Sequence, residues 1–359
     1  MLSSSMQSRV SVGGHTSGLF LIQQGVGQGR VLSAWLFTLY INDLLYDLDK
    51  SGRGLQLPWG STPGLLLADD TTLLSCTPDG IQSLLNVVCD YAKTWRLKFN
   101  ASKSAFLLFG NTQHHTCPEL YLGDHSISRQ TDVVYAGLYL NTDKSSLPRT
   151  HRICEKLRKL VNVNHVHGLY FGGLHPLHAV RIWENIILPC GMYACNVWCR
   201  LSGKEYDMLE GVQKYFCKKV QGLSKRSCSV VARDTLGLLS LQSYVDQKSL
   251  LLLGRLCSAG LHFVFKQILL FRIAQYMCDG KVQKLRHCKS SPIYHMLDLC
   301  FKYDLTSFIA NFCDSSVFVS KAVWSKCVKE QVVNLDVHTR LQEINYRQCL
   351  HRYSMIRQP

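Results

Sequence analysis

The hydrophobic pattern of the first 140 residues alternates between short strand-like runs and amphipathic helices. Apolar residues at 10–12 and 19–22 flank Gly13 and Gly14, which predicts a hairpin. The apolar runs 65–67 and 73–74 enclose Ala68-Asp69-Asp70. Two apolar runs around a short polar turn predict a second hairpin, with both carboxylates at its tip.

Two helices with one apolar face each accompany these hairpins. The first is predicted to begin at Ser33 as its cap, and the second begins at Thr77-Pro78-Asp79. Glycine and proline between 52 and 63 predict a loop, and short strands are predicted at 105–109, 133–135 and 138–140. The helical faces consist of Leu36, Phe37, Tyr40, Leu44 and Leu48 in the first helix, and Ile81, Leu84, Leu85, Val88, Ala92 and Trp95 in the second.

Beyond Pro148 the pattern becomes helical throughout. One amphipathic helix carries Lys156 and Lys159 on its polar side, a longer helical pattern bends at Pro189, and Ser202 begins a capping box. A basic cluster follows, formed by Lys214, Lys218, Lys219, Lys225 and Arg226.

Composition narrows the class of protein. Apolar residues make up 47% and charged residues 18% of 359 residues, which indicates a globular chain with more than one domain. The formal charge of +15 favours a polyanionic partner, although a merely basic protein fits the number as well. The 16 scattered cysteines indicate reduced thiols of an intracellular protein, and charges interrupt the long apolar stretches, so we expect no membrane partner.

The acidic pair Asp69-Asp70 offers hard oxygen ligands suited to Mg²⁺. Adjacent acids on a turn are more often simply solvated, so the pair alone is a weak signal. Its context is more specific, because an ordered series of motifs surrounds it. These are Gly-Val-Gly-Gln-Gly at 25–29, Leu32-Ser33, Leu36-Phe37, Tyr40-Ile41-Asn42-Asp43-Leu44, Asn100 with Lys103, and Tyr135-Ala136-Gly137.

In order and spacing, this series resembles the palm of reverse transcriptases encoded by non-LTR retrotransposons, over roughly residues 8–240. The resemblance implies an α+β fold. Residues 1–145 would form a partial palm with a short antiparallel sheet, 146–240 a helical thumb and 241–359 a helical region of unknown role. The implied activity is RNA-directed DNA polymerisation with Mg²⁺, and the implied partners are an RNA template, a DNA primer or duplex, and deoxynucleoside triphosphates.

The resemblance also assigns roles to residues. Asp69 would be a metal ligand and Asp70 a supporting acid, or a residue that only shapes the hairpin. Lys103 would neutralise or protonate the leaving pyrophosphate, although a solvated surface lysine fits nearly as well. Gln28, Gly29 and Arg30 would approach the template strand and nucleotide, or form only a structural turn, and Lys156 and Lys159 would contact the duplex backbone or remain solvated.

Polymerases of this kind use two metal ions roughly 3.5–4 Å apart, held by carboxylates from two strands. In the family, one more catalytic aspartate and the fingers precede the glycine-glutamine turn, but no aspartate precedes Asp43 here. We therefore expect the 359-residue polypeptide alone not to polymerise, unless a separate chain supplies the fingers. The alternatives are a non-catalytic nucleic-acid-binding remnant and a helical interaction protein.

Overall fold

The computed structural model describes residues 7–22, 29, 31–110, 118–142, 146–261, 263–279 and 291–346. The chain divides into two compact units, Met1–Ala136 and Gly137–Pro359. The first mixes short strands with two long helices, and the described part of the second is mostly helical. This confirms the mixed helix and strand character of the chain, while the predicted domain limits at 145 and 240 remain predictions.

The described strands of the first unit form several small sheets. Four pairs are antiparallel: β1 with β4, β2 with β3, β5 with β6, and β7 with β8. A three-stranded sheet has the order β10-β11-β9. In this sheet β10 and β11 are antiparallel, as predicted, whereas β11 and β9 are parallel, which the prediction of an antiparallel sheet did not include. The elements are β1 Gln7–Ser8, β2 Ser11–Val12, β3 His15–Thr16, β4 Phe20–Leu21, α1 Ser33–Lys50, β5 Leu55–Leu57, β6 Gly60–Thr62, β7 Gly64–Leu67, β8 Asp70–Leu73, α2 Pro78–Trp95, β9 Ala105–Phe106, β10 Leu120–Leu122, β11 His125–Arg129 and β12 Asp132–Tyr135.

The N-terminal hairpin forms, but the strand that follows its turn begins closer to Gly14 than predicted. Val12 pairs with His15, so β3 rather than residues 19–22 is the partner of β2. Gly13 and Gly14 both have positive φ, 58° and 84°, which allows a two-residue turn of the kind that closes hairpins tightly. Residues 20–21 pair instead with β1, farther from the Gly13-Gly14 turn.

Two local predictions in the first unit are wrong. Residues 52–63 were predicted to be a loop, but they contain the β5–β6 hairpin. Pro58 and Trp59 are its two turn residues, between the paired Leu57 and Gly60. Ser33 is the first residue of α1, and Leu32 occupies the cap position without a side-chain cap. By contrast, Thr77 caps α2 as predicted, since its hydroxyl accepts a hydrogen bond from the Gly80 amide.

The core of the first unit lies between α1, α2 and strands β10 and β11. The Tyr91 hydroxyl donates to the Tyr40 carbonyl at 2.7 Å and so ties α2 to α1. The Gln82 amide bonds both backbone groups of Tyr121, which fixes β10 against α2. The buried apolar residues are Ile41, Leu44, Leu48, Leu84, Leu85, Val88, Tyr91, Leu120, Leu122 and Ile127.

The second unit begins with strand β13, Leu138–Asn141, and continues as helices. A π-helical segment, Trp183–Ile187, lies between α4 and α5. It ends just before Pro189, where the sequence predicted a bend, because proline lacks an amide hydrogen and its ring disturbs the preceding turn. The helices are α3 Leu147–Val163, α4 Pro176–Ile182, α5 Leu188–Gly191, α6 Gly203–Gln221, α7 Ser229–Asp234, α8 Leu241–Cys257, α9 Val264–Asp279, α10 Pro292–Lys302, α11 Thr306–Ser315 and α12 Lys321–Tyr346.

Two apolar cores support these helices. In one, the rings of Trp183 and Phe216 stack with centroids 4.4 Å apart between α6 and the segment before α5. In the other, Trp324 of α12 is buried against α8 and its indole donates to the Leu250 carbonyl at 2.8 Å. The capping box at Ser202 and Glu205 is present at the start of α6, as predicted.

The described helices are all too short or too polar to cross a lipid bilayer. Thirteen cysteines fall in the described residues, and no disulfide joins any of these.

Candidate functional site

The acidic pair lies at the tip of the β7–β8 hairpin, as predicted. Leu67 pairs with Asp70, so Ala68 and Asp69 are the two turn residues and Asp70 begins β8. Both aspartates are exposed. The two carboxylates are therefore available to a ligand that approaches the tip.

The turn holds Ala68 in a conformation that glycine usually adopts. Its φ is 52°, in the left-handed region, whereas Asp69 is absent from the residues with positive φ. The left-handed conformation costs a non-glycine residue roughly 1–2 kcal/mol, and such strain concentrates at functional sites.

Gly64 closes the base of the hairpin. A Cβ at this position would lie 2.3 Å from the carbonyl oxygen of Thr72 on the partner strand. The close approach of β7 and β8 therefore requires glycine here. The amide of Leu74 donates to the Pro63 carbonyl at 2.7 Å and extends the pairing beyond the strands.

The two faces of the hairpin differ. Leu66 and Leu73 lie on one face and pack against the core of the first unit. Because side chains alternate along a strand, Leu65, Leu67 and Asp70 share the opposite face, and all three are exposed. The hairpin is thus anchored on its inner face and presents an acid beside two leucines on its outer face.

The donor chemistry of the tip fits one divalent cation. Adjacent carboxylates are hard oxygen ligands, and Mg²⁺ is often bound by one or two carboxylates together with substrate phosphates and water. In the part of the chain that the structure describes, no group of three histidine, cysteine or acidic side chains could hold a metal ion. The tip itself therefore offers one pair of adjacent carboxylates.

Lys103 ends a 3-10 turn at Ala101–Lys103 and is exposed. Asn100 caps this turn, since its side-chain oxygen accepts from the Lys103 amide at 3.3 Å. The cap gives a local reason for the three-residue spacing of the motif. Ala101, Phe106, Leu66 and Leu73 pack against the same core, but among the described contacts no hydrogen bond or ion pair joins Lys103 to either aspartate.

Of the three residues in the predicted template turn, only Gly29 is described. Its φ is 78°, and a Cβ would meet no atom within 4 Å, so glycine is needed there for backbone conformation and not for space. Gln28 and Arg30 lie outside the described residues.

Lys156 and Lys159 lie on α3 in the second unit and are exposed, as the amphipathic pattern predicts. Cys154, Leu157 and Val161 form the buried side of the same helix. The two lysines thus face solvent on a firmly packed helix, where their roles remain predictions.

Sequence reasoning missed two residues that shape the hairpin, Gly64 and Ala68. An isolated glycine beside a strand is a known signal for close backbone approach, and it could have identified Gly64. The left-handed conformation of Ala68 has no signal in the sequence, because alanine rarely adopts it.

Comparison with known proteins agrees with the motif series. Residues 2–146 match the family model for reverse transcriptase (RNA-dependent DNA polymerase). The chain is 22% identical over 221 residues to a probable RNA-directed DNA polymerase from transposon X-element of Drosophila melanogaster, covering 60% of this chain and 23% of that protein. It is also 22% identical over 223 residues to the RNA-directed DNA polymerase from mobile element jockey of the same species, covering 59% and 23%.

A third relative is the retrovirus-related Pol polyprotein from type-1 retrotransposable element R2 of Popillia japonica. It is 26% identical over 161 residues, which cover 43% of this chain and 27% of that protein. The chain thus spans about a quarter of the length of these relatives. These similarities confirm the predicted resemblance to reverse transcriptases of non-LTR retrotransposons.

Proposed function

We propose that the first unit is the palm part of an RNA-directed DNA polymerase and that its β7–β8 hairpin contributes one half of the polymerase active site. The observation that carries this proposal is the exposed carboxylate pair on an anchored hairpin inside the matched segment. The second unit would act as the thumb and a further helical region. The substrates would be an RNA template, a DNA primer and deoxynucleoside triphosphates.

In this proposal Asp69 and Asp70 hold Mg²⁺, which when bound neutralises negative charge on the phosphates. Asp69 is the ligand and Asp70, at the start of β8, supports it from the adjacent strand position. Lys103 places its cation near the leaving pyrophosphate. Gln28, Gly29 and Arg30 approach the template and nucleotide, and Lys156 and Lys159 contact the duplex backbone.

Primer extension on an RNA template with Mg²⁺ tests the proposal. No aspartate precedes Asp43 in the sequence, so we expect the purified 359-residue polypeptide alone to incorporate no nucleotide. Loss of one wall of a two-metal site costs on the order of 10³-fold or more in rate. Robust incorporation that disappears in Asp69→Asn would show that the polypeptide is itself a polymerase.

A complementation arm tests the assignment of the hairpin. Addition of a polypeptide that carries the fingers and the other catalytic aspartate of a related polymerase should restore incorporation. Asp69→Asn should abolish the restored activity, whereas the control Asp79→Asn, on α2 away from the tip, should not. Equal activity of the two variants would contradict the assignment of Asp69.

The second candidate is a nucleic-acid-binding protein without catalysis. The formal charge of +15 favours it. Salt-dependent binding of RNA or DNA, with no incorporation even after complementation, would support this function. Absence of binding at low salt would leave a helical interaction protein.

A further inference from the structure

A cleft of about 760 Å³ lies within the helical unit. Its walls come from α6, the loop that follows α6, α7, the start of α8, the end of α10, and α12. This volume is within the range of roughly 300–1,000 Å³ over which pockets bind small molecules. Neither Lys156 nor Lys159 is part of its lining, so the cleft is separate from the duplex contact predicted on α3.

Ion pairs within the chain fix the walls of this cleft. The Arg340 guanidinium on α12 lies 3.0 Å from an Asp234 carboxylate oxygen and 3.7 Å from one of Asp336. Lys302, the last residue of α10, contacts the buried Asp246 of α8 at 2.6 Å. These pairs join α12 to α7 and α10 to α8, so the cations of Arg340 and Lys302 are already compensated.

Glu210 compensates two more cations. Its carboxylate accepts a hydrogen bond from the Leu241 amide at 2.5 Å and lies 3.6 Å from Arg233. Burial raises the pKa of the Glu210 carboxyl, and the cations of Arg233 and Lys214 oppose that rise. The amide at the start of α8 is therefore already bonded, and Lys214 acts on an acid of the same helix.

Three other cations stand at the mouth of the cleft. Lys218, Lys225 and Arg226 line it, and none of the ion pairs between described residues includes any of the three. The Lys218 ammonium donates to the Lys225 carbonyl at 2.8 Å, which holds the loop against α6. Like charges held this close repel one another, and an anion that lies between them would stabilise the arrangement.

The floor of the cleft carries two buried polar atoms without a hydrogen bond to any described residue. Gln213 is 1% exposed and its amide nitrogen donates to the Leu239 carbonyl at 2.9 Å, but its Oε1 is unpartnered. The Nε of Arg233 is unpartnered as well. Buried polar atoms in proteins are nearly always hydrogen-bonded. One of these atoms accepts and the other donates, so the floor suits a ligand that has both a hydroxyl group and an anionic oxygen.

We propose that this cleft binds a compact phosphorylated polyol, of which an inositol phosphate is an example. Its phosphate groups contact Lys218, Lys225 and Arg226 at the mouth. On the floor, a free hydroxyl donates to Gln213 Oε1 and an anionic oxygen accepts from Arg233 Nε. The ligand class follows from the two contact sets together, because a bare polyphosphate has no polyol hydroxyl and a neutral polyol has no charge.

The ligand must be small, because the unpartnered floor atoms are buried while the cations stand at the mouth. One molecule has to enter the cleft to reach Gln213 while its charges remain beside Lys225 and Arg226. A polymer that runs past the mouth would contact the cations only. The site lies wholly in the helical unit and does not depend on the polymerase assignment.

Isothermal titration calorimetry of the full chain with an inositol trisphosphate, which has both phosphates and free hydroxyls, tests the mouth. Lys225→Ala/Arg226→Ala removes two cations and leaves the Lys218 bond to the loop backbone. We expect an affinity loss of roughly tenfold or more, because charge-assisted contacts are strong. The control Lys321→Ala/Lys329→Ala removes the same charge from exposed positions of α12 outside the cleft and should lose less than about threefold. Equal losses in the two variants, or no binding by the unaltered protein, would overturn the proposal.

A second variant tests the floor. Gln213→Met keeps the length of the side chain and removes the acceptor, so the inositol trisphosphate should bind roughly fivefold more weakly. Inositol hexakisphosphate has no free hydroxyl, so its affinity should not change. Equal weakening of both probes in a variant that keeps its Tm would contradict the floor contact. If Gln213→Met melts far below the unaltered protein, the loop variant alone decides.

Competition separates the compact ligand from other polyanions. Tripolyphosphate at equal phosphate concentration should displace the inositol trisphosphate only weakly. Full displacement by tripolyphosphate would reduce the cleft to a site for a free anion, and full displacement by single-stranded RNA would make its cations part of a nucleic-acid surface. Either result would overturn the proposal. None of these readouts depends on nucleotide incorporation, so failure here is distinguishable from failure of the polymerase proposal.

Discussion

The two units of the chain differ in the size of their apolar cores and in the position of their candidate functional residues. The first carries the acidic hairpin and the motif series, yet its core is small and its described ion pair, between Lys93 and Asp90, lies at the surface. The second has two larger apolar cores and buried ion pairs around Arg340 and Asp246. The difference indicates that the acidic hairpin and the motif series lie on the unit with the smaller core, while most of the buried packing lies in the helical unit.

Exposed apolar side chains sharpen this comparison. Val31, which precedes α1, is 89% exposed, and Trp35 and Leu39 in the first half of α1 are 71% and 70% exposed. The buried residues of α1 lie on another face of the helix. A helix with apolar residues on more than one side has more hydrophobic surface than its own unit covers. The first unit therefore leaves part of the apolar surface of α1 uncovered.

Removal of the Arg340 side chain should have the largest effect on stability. Arg340→Ala would leave the buried carboxylates of Asp234 and Asp336 without their cation, and breaking a buried pair costs about 3–5 kcal/mol. Urea denaturation followed by circular dichroism measures this. The control Lys326→Ala breaks an exposed pair with Glu330 and should change the free energy of unfolding by less than about 1 kcal/mol. An Arg340→Ala midpoint equal to that of the control would mean that the helical unit does not rely on its buried charges.

A methyl group at Gly64 should disturb the hairpin and leave the helical unit intact. In Gly64→Ala the Cβ meets the backbone oxygen of Thr72 at 2.3 Å, so β7 and β8 must separate at a cost of about 1–3 kcal/mol. Amide hydrogen exchange should become faster in residues 64–73. Gly18→Ala, where a Cβ meets nothing within 4 Å, is the matched control in the same unit. Unchanged exchange in Gly64→Ala would contradict the strand pairing described here.

Relief of the strained turn should have the smallest effect on the free energy of unfolding, and it should stabilise the protein. Ala68→Gly removes the cost of a left-handed alanine but adds chain entropy to the unfolded state, so a net gain of about 0.5–1 kcal/mol is expected. Slower hydrogen exchange at Asp70 and Thr71 would report the gain. Arg96→Gly, at φ 54° after α2, offers a matched substitution away from the acids and should gain as much. If only Arg96→Gly stabilises the chain, the turn at Ala68 has a different geometry.

Several elements were predictable because their signals are local. The β7–β8 hairpin follows from two apolar runs around a polar turn, and α2 and α6 follow from Thr77 and Ser202 as caps. The cap hydrogen bonds join residues three positions apart, and the paired residues of the hairpin lie three to nine positions apart, so a short stretch of sequence contains each interaction. The β5–β6 hairpin was missed since its glycines and prolines resemble those of a loop, and β10 was missed because Gln82, from a distant helix, fixes its backbone.

The sequence by itself determined the family resemblance, the acidic hairpin and the helical character beyond Pro148, because each rests on residue order and short-range periodicity. Only the tertiary structure decided that Ala68 is strained, that Gly64 is required by Thr72, and that Arg340 neutralises Asp234. The physical reason is distance along the chain: residues 106 positions apart meet only when the helices pack, and periodicity carries no information about which helix faces which.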